Sequence, residues 1–365
     1  MKNKLGKRFR LRAGLLSMAI SSLLHSVPAS ADDVAAAEQN LLSGLESIQG
    51  LALDKALSHF EELSDQYPKY KLAQLMKADL LALKAGDTQL MDEIRKRYAN
   101  EVAKLEDEAR VRWDFAQSAM REAPGLDKYV LKSAGQSHLL IVSLNESRLY
   151  LYERNAKTGH MQRVADYYVT IGRKGSGKQK EGDLRTPLGV YHVVDLLPGA
   201  MLPDLYGVGA LPLNYPNKWD RSQGKTGSGI WLHGVPSDTY TRAPRASRGC
   251  VVLNNNAMQK LLSDYKLSYA TPVVIVDEDK QAFSFSDDKK VVLKEVKAWL
   301  SDHYAKVPWK SVSVYRYPNE KNLFYVTFPS HNKTELVHQF WQRDPEGDWR
   351  MVLQSEEPVQ VKTRV

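Results

Sequence analysis

The sequence has almost no cysteine: Cys250 is the single thiol in 365 residues. That excludes a disulfide framework, which needs pairs of cysteines, and it excludes thiolate-rich zinc sites. Nine histidines are present. None falls in a His-x-x-x-His spacing and no Cys-x-x-Cys occurs, so spacing predicts neither a metal nor a cofactor. Long apolar runs are also missing. The run Ala13 to Leu24 is too short to span a bilayer. It follows Lys2, Lys4, Lys7, Arg8, Arg10 and Arg12 and precedes Ala29-Ser30-Ala31. That order reads as a secretory signal peptide over residues 1–31, with the mature chain starting near Asp32. A charge excess is lacking too. The chain has 51 Lys+Arg against 43 Asp+Glu, but six of the bases lie in the leader, which leaves 45 against 43. This balance offers no basic footprint, so no nucleic-acid partner is expected.

What is present divides by hydrophobic period, and the fold class it predicts is multidomain α+β. Residues 32–125 read as a helical domain. Leu53, Ala56, Leu57, Phe60 and Leu63 fall at helical spacing, and Tyr67-Pro68 breaks the run. Leu72, Leu75, Met76, Asp79, Leu80 and Leu83 resume it until Ala85-Gly86 closes the helix. The pair resembles one tetratricopeptide-like hairpin without a second copy, so it predicts a packed helical domain and not a solenoid. Such a domain could serve a homodimer or a protein partner. From about Pro124-Gly125 the period changes. "HLLIVSLNESRLYLYER" alternates as a hairpin with Asn145-Glu146-Ser147 at its turn. "RVADYYVTIG", "GVYHVVDLL", "GIWLHGV" and "PVVIVDE" follow as strands, which makes residues 129–279 a β-rich domain. Its one clear helix is "NNNAMQKLLSDYKL", capped by Asn254 to Asn256. After the charged "SDDKK" comes a small α+β module, residues 287–365. Its helix turns Val291, Val292, Val296, Trp299 and Leu300 inward. Four strands follow, with a turn at Asp344-Pro345-Glu346-Gly347-Asp348 between the last two.

"GRKGSGKQ", Gly172 to Gln179, nearly matches a phosphate-binding loop. Gln179 replaces the Ser/Thr that would hold Mg²⁺, and no helix follows to receive a phosphate. The segment reads instead as a mobile loop beside a site.

A lone thiol in an exported chain stands for intermolecular pairing, an inert buried group or a nucleophile. The surroundings of Cys250 supply what acyl transfer by a thiol requires. Gly249 removes side-chain bulk beside it. His233, 17 residues upstream at the end of an apolar strand, sits on a rigid platform for a base. The Gly234 carbonyl could accept the imidazole N–H and fix its tautomer, so no carboxylate is needed.

These residues also carry a resemblance. "IWLHG" followed by "ASRGCVVLN" resembles the active-site signature of the L,D-transpeptidase catalytic domain, the YkuD family. "HLLIVSLNESRLYLYE" resembles that family's first hairpin, "RTPLGVYHV" its Thr-Pro-x-Gly strand and "LNYPNKWD" its Tyr-Pro loop. The match runs in family order over residues 135–277. It implies Cys250 as nucleophile, His233 as base and Gly234 as the orienting carbonyl. Backbone N–H groups of Gly249 and Cys250 become oxyanion candidates. Ser247 lines the site, and Arg248, Arg245, Tyr215 and Trp231 are substrate-contact candidates, with Arg242 a further partner for a carboxylate. Two positions depart from the family. Arg248 stands where most members have His, and Val252 stands where many have Arg or Asn. Three readings of Arg248 remain open: a carboxylate clamp, a charge that lowers the thiol pKa, or a solvated side chain.

The resemblance implies a periplasmic enzyme acting on peptidoglycan stem peptides. The thiolate would attack the carbonyl at the L-centre of meso-diaminopimelate, D-Ala would leave, and the acyl group would pass to an amine. The alternative is hydrolysis, as an L,D-carboxypeptidase or as an amidase cutting the link between an outer-membrane lipoprotein and peptidoglycan. A non-catalytic wall scaffold is the rival from another class. The layout is similar to L,D-carboxypeptidases whose C-terminal module is nuclear-transport-factor-2-like, here shortened.

Overall fold

The computed structural model describes residues 31–118, 126–280 and 288–359. The expected signal peptide before Ala31, the Pro124-Gly125 change of period and the first half of the Ser-Asp-Asp-Lys-Lys run lie outside the described residues. Five helices come first: α1 (Ala31–Gln49), α2 (Leu53–Gln66), α3 (Lys71–Ala85), α4 (Thr88–Arg97) and α5 (Ala99–Ser118). The short α6 (Leu126–Tyr129) leads into β1 (Val130–Lys132). The central region carries β2 (His138–Ser143), β3 (Arg148–Arg154), β4 (Met161–Tyr168), β5 (Ile171–Gly172), β6 (Gly189–His192), β7 (Leu197–Pro198) and β8 (Gly209–Pro212). It continues through α7 (Lys218–Ser222), β9 (Trp231–His233), β10 (Arg245–Ser247), β11 (Val251–Val252), α8 (Asn255–Ser263) and β12 (Pro272–Val276). Last come α9 (Lys289–His303), β13 (Ser313–Arg316), β14 (Leu323–Pro329), β15 (Glu335–Arg343) and β16 (Trp349–Pro358). Among the described residues no helix is long and apolar enough to cross a membrane.

Helices α2 and α3 form the hairpin that the sequence predicts. Ala56, Leu57, Phe60, Leu63, Leu72, Ala73 and Leu80 are buried, and Gly86 ends α3 in the left-handed conformation. Two apolar residues face the other way. Leu83 and Val291 are both 49% exposed. In α9 the buried stripe is Val292, Val296 and Leu300. Val291 precedes that i, i+4 row by one residue, a turn of about 100°, and so points outward.

The central sheet has the order β4-β3-β2-β12-β6. Sequence alternation in β2 and β3 suggests one wet face, but both faces are covered. Leu140, Val142, Leu149, Leu151, Val273 and Ile275 pack into one core with α8 and the strands β9 and β11. Leu139, Ile141, Tyr150, Val274 and Val276 point the opposite way, into a second core shared with Tyr315, Tyr317, Tyr325 and Phe340 of the C-terminal module. Period-2 geometry sends alternate residues to opposite faces, and here each face meets a hydrophobic layer.

The C-terminal sheet, β1-β13-β14-β15-β16, takes its first strand from before the central sheet. Val130 pairs with Tyr315 and Lys132 with Val314, so the chain closes this sheet from both ends of the sequence. Helix α9 covers the other side, against Val314, Phe324, Val326, Phe328 and Trp341.

The helical domain is bolted to the central one by buried charge. Arg112, 4% exposed in its side chain, pairs with Glu108 at 2.8 Å and also with Glu38, which in turn pairs with Arg148 at the start of β3. Burial would raise the Glu38 carboxyl, but Arg112 and Arg148 hold it below the ordinary range. The Arg112 guanidinium also lies 3.8 Å over the Tyr168 ring. Tyr240 is clasped between Tyr67 and Tyr70 with ring centroids 4.6 and 4.5 Å away, and Thr241 donates to Glu108 at 2.7 Å. The helices therefore grip the segment that runs from His233 towards Cys250.

Candidate active site

Strands β9 and β11 lie side by side and parallel, with Leu232 opposite Val251 and His233 opposite Val252. Cys250 immediately precedes β11. Two residues 17 apart in sequence thus belong to neighbouring strands, with Cys250 at the start of one and His233 at the end of the other. Val252, one of the departures from the family pattern, is buried at the centre of this pairing and also bridges Thr170.

His233 is 4% exposed. Its Nδ1 lies 2.6 Å from the Gly234 carbonyl oxygen, so the Nδ1–H donates there and Nε2 is left as the basic nitrogen. Burial pushes the imidazole down to about 4; the Gly234 hydrogen bond acts the other way, and the Arg242 charge adds to the lowering. The ring is neutral at pH 7. Tyr206 stands edge-on to it at 5.0 Å and also packs on Trp231 at 4.8 Å.

Cys250 is partly buried, and its thiol donates to the Gly229 carbonyl at 3.3 Å. Burial pushes the thiol up, while the Trp231 backbone N–H and the charges of Lys178 and Arg242 pull it back. At rest the pair is a thiol and a neutral imidazole. The surrounding charges favour the thiolate once the proton moves.

Gly249 and Gly234 are glycines for steric reasons. Gly249 has φ +129°, and a Cβ there would meet the Arg185 carbonyl oxygen at 2.7 Å. A Cβ on Gly234 would lie 2.2 Å from Asn255 Oδ1. Asn255 is the residue that sequence reasoning assigned only to a helix cap. Its Oδ1 accepts from the N–H groups of Val208 and Val235, and its Nδ2 donates to the Val235 carbonyl at 2.9 Å. Asn254 does the capping, accepting from Ala257 N–H at 2.7 Å. The side chain of Asn255 therefore pins the loop that carries the orienting carbonyl.

The other expected site residues separate into two groups. Ser247 is buried; its hydroxyl donates to the Cys250 carbonyl at 2.7 Å and accepts the Gly249 N–H at 3.1 Å. That Gly249 donor is thereby engaged, whereas the Cys250 N–H takes part in no hydrogen bond among the described residues. Trp231 lies at the sulfur through its backbone. Tyr215 is buried, in the cis Tyr215-Pro216 turn, and its hydroxyl donates to the Thr226 carbonyl at 3.2 Å. Arg248 is exposed and makes no hydrogen bond or ion pair among the described residues. Arg245 is exposed at the edge of a cleft of about 470 Å³ between the helical domain and the Arg242–Ala246 segment, lined by the bases Lys71, Lys104, Arg173 and Arg242 and by the acids Glu101 and Glu108.

The loop after β5 is fastened where the sequence suggested mobility. Ser176 bridges Thr186, Lys174 N–H donates to the Leu184 carbonyl, and Lys178 N–H donates to the Thr186 carbonyl. Lys178 is 4% exposed and pairs with Asp183 at 2.9 Å. The Asp183 carboxyl sits at about 2: burial opposes this, and hydrogen bonds from Gln179, Lys178, Lys180 and Arg185 outweigh it. The lysine of the near-miss phosphate motif is thus a fixed positive charge acting on Cys250.

None of the curated proteins matches the chain. Among solved structures, Bd1075 of Bdellovibrio bacteriovorus is 21% identical, with 63% of this chain and 98% of that one covered and a TM-score of 0.46. The helical cell shape determining protein Pgp2 from Campylobacter jejuni is 20% identical over 66% of this chain and 98% of its own, TM-score 0.46. An L,D-transpeptidase from Xylanimonas cellulosilytica is 19% identical over 45% of this chain and 69% of its own, TM-score 0.27. The family model described as L,D-transpeptidase catalytic domain matches residues 137–275, the span that holds both His233 and Cys250. The span similar to the YkuD L,D-transpeptidase catalytic domain thus lies between a helical domain and an α+β module.

Proposed function

We propose that the chain is a periplasmic L,D-transpeptidase that works through an acyl-enzyme on Cys250. The observation that carries the reading is the His233 imidazole, neutral and fixed in one tautomer by Gly234, on the strand beside Cys250. The thiol proton passes to His233 Nε2 as sulfur attacks the carbonyl at the L-centre of meso-diaminopimelate. The free Cys250 N–H is the donor for the oxyanion. His233 then gives its proton to the departing D-Ala amine. An acceptor amine repeats the steps in reverse and releases the enzyme.

The charge around the cleft supports an anionic stem peptide. Arg242 is half-buried, and its guanidinium is lowered by burial and by the like charge of Arg173. Its one hydrogen bond runs to the Ala246 carbonyl at 3.1 Å. Two guanidiniums that repel each other gain from a ligand carboxylate. Arg248 is exposed, which leaves it open to a second contact of this kind.

The test is product analysis. Residues 32–365, and the Cys250→Ala variant, are incubated with purified tetrapeptide muropeptides and the masses read. Crosslinked dimers that have lost D-Ala, absent with Cys250→Ala, are expected. Tripeptides and free D-Ala without dimers would replace transfer by hydrolysis on the same acyl-enzyme. No Cys250-dependent product would sink the enzymatic reading.

A further inference from the structure

Spacing in the sequence offers no metal site, yet the fold brings one distant histidine to a histidine and a glutamate on two neighbouring strands. His192 ends β6 of the central sheet, His338 lies in β15 and Glu357 in β16. His338 is paired with Ser355, so Glu357 stands two residues along on the neighbouring strand and shares its face. The ligand atoms of the three residues all lie within 4.8 Å of one another. His192 Nε2 is 3.3 Å and His338 Nε2 is 3.7 Å from Glu357 Oε2. The two imidazoles lie parallel with centroids 5.2 Å apart.

The nitrogens are left over by the rest of the structure. His192 and His338 are 5% and 4% exposed, and the Nε2 atom of each is buried without a hydrogen-bond partner. Tyr325 fixes the outer nitrogen of His338: its hydroxyl lies 2.6 Å from Nδ1. With Nδ1–H donating to that oxygen, the Nε2 lone pair points at His192 and Glu357, the arrangement by which an outer partner orients a metal-binding imidazole. Glu357 Oε2 lies within ion-pair reach of both nitrogens, and a cation bound among the three groups would satisfy each of them.

We propose that His192, His338 and Glu357 bind a divalent transition ion of the zinc type, clipping the central sheet to the C-terminal sheet. Two imidazoles and a carboxylate suit zinc in donor type. Tetrahedral donors at about 2.0–2.1 Å from the ion stand about 3.3–3.4 Å apart. The His192–Glu357 separation already fits; His338 must move closer to both partners, and the parallel rings must turn so that both Nε2 lone pairs meet at one point. A cleft of about 390 Å³, lined by His192, His338, Tyr191 and Tyr325, adjoins the site and leaves room for water or a small ligand in the fourth position. The site belongs to strands β6, β15 and β16, separate from β9 and β11, which carry the acyl-transfer pair.

Metal-stripped, untagged residues 32–365 carrying Cys250→Ala would be titrated with Zn²⁺ against a chromophoric chelator. The Cys250→Ala background removes the thiol as a competing ligand. One ion per chain is expected, with a raised melting temperature. Glu357→Gln keeps the shape of a side chain at the rim and should fold; it is expected to weaken Kd by at least about tenfold, as loss of a direct ligand must exceed loss of an outer one. His338→Gln should abolish stoichiometric binding. No binding in the Cys250→Ala protein, or equal affinity in Glu357→Gln and His338→Gln, would overturn the proposal.

Discussion

His233 and His338 are the same group in the same kind of environment. Each is 4% exposed, and each imidazole is pushed down to about 4, first by burial. Each has Nδ1 held by an oxygen at 2.6 Å, from the Gly234 carbonyl in one case and the Tyr325 hydroxyl in the other. What differs is the company of Nε2. His233 stands beside a strand that delivers a thiol, and His338 faces a carboxylate and a second imidazole. Burial makes both rings neutral, and a neutral imidazole can serve as a base or as a ligand. The neighbour decides which.

That comparison breaks most sharply at His233. His233→Ala is expected to lower kcat/KM for D-Ala release by about 10²–10⁴-fold, the usual worth of a positioned base. The intact enzyme should keep its activity as pH falls until about 4, because His233 is neutral above that value and charged below it. An acid limb near 6.5, the ordinary imidazole value, would mean that burial does not set the base.

The next effect concerns the clamp that holds the loop between His233 and Cys250. Arg112→Met leaves Glu38 and Glu108 buried with one cation fewer, and should cost about 3–5 kcal/mol in chemical denaturation. A loss below about 1 kcal/mol would show that the helical domain is held by its apolar contacts instead.

The smallest effect belongs to Arg248. As an exposed clamp for a substrate carboxylate it should act on binding, so Arg248→Ala should raise KM several-fold and leave kcat nearly unchanged. An unchanged KM makes it a solvated side chain, while a higher Cys250 alkylation pKa would make it a charge that tunes the thiol.

Much of this was legible in the sequence because it is local. The α2–α3 hairpin, the β2–β3 hairpin, α9 and the four C-terminal strands follow from apolar period and from turn residues, which act over a few positions. Cys250, His233, Gly234 and Gly249 were legible because each sits in a short motif. Other parts were not. Asn255 looks like one of three capping asparagines until its Oδ1 is found holding the loop before β8 and the loop after His233. Lys178 looks like part of a failed phosphate loop until Asp183 and Thr186 fix it beside the thiol. Tyr206 lies in a single helical turn with no motif around it.

The sequence by itself determined which segments become helices and strands, and singled out the one thiol and an imidazole near it in sequence. Those choices depend on side chains close along the chain. Tertiary structure alone decided that β1 would join the C-terminal sheet, that both faces of the central sheet would be buried, and that His192, His338 and Glu357 would converge. Each of these joins residues more than a hundred positions apart, and only the packing of one hydrophobic layer on another brings them within reach.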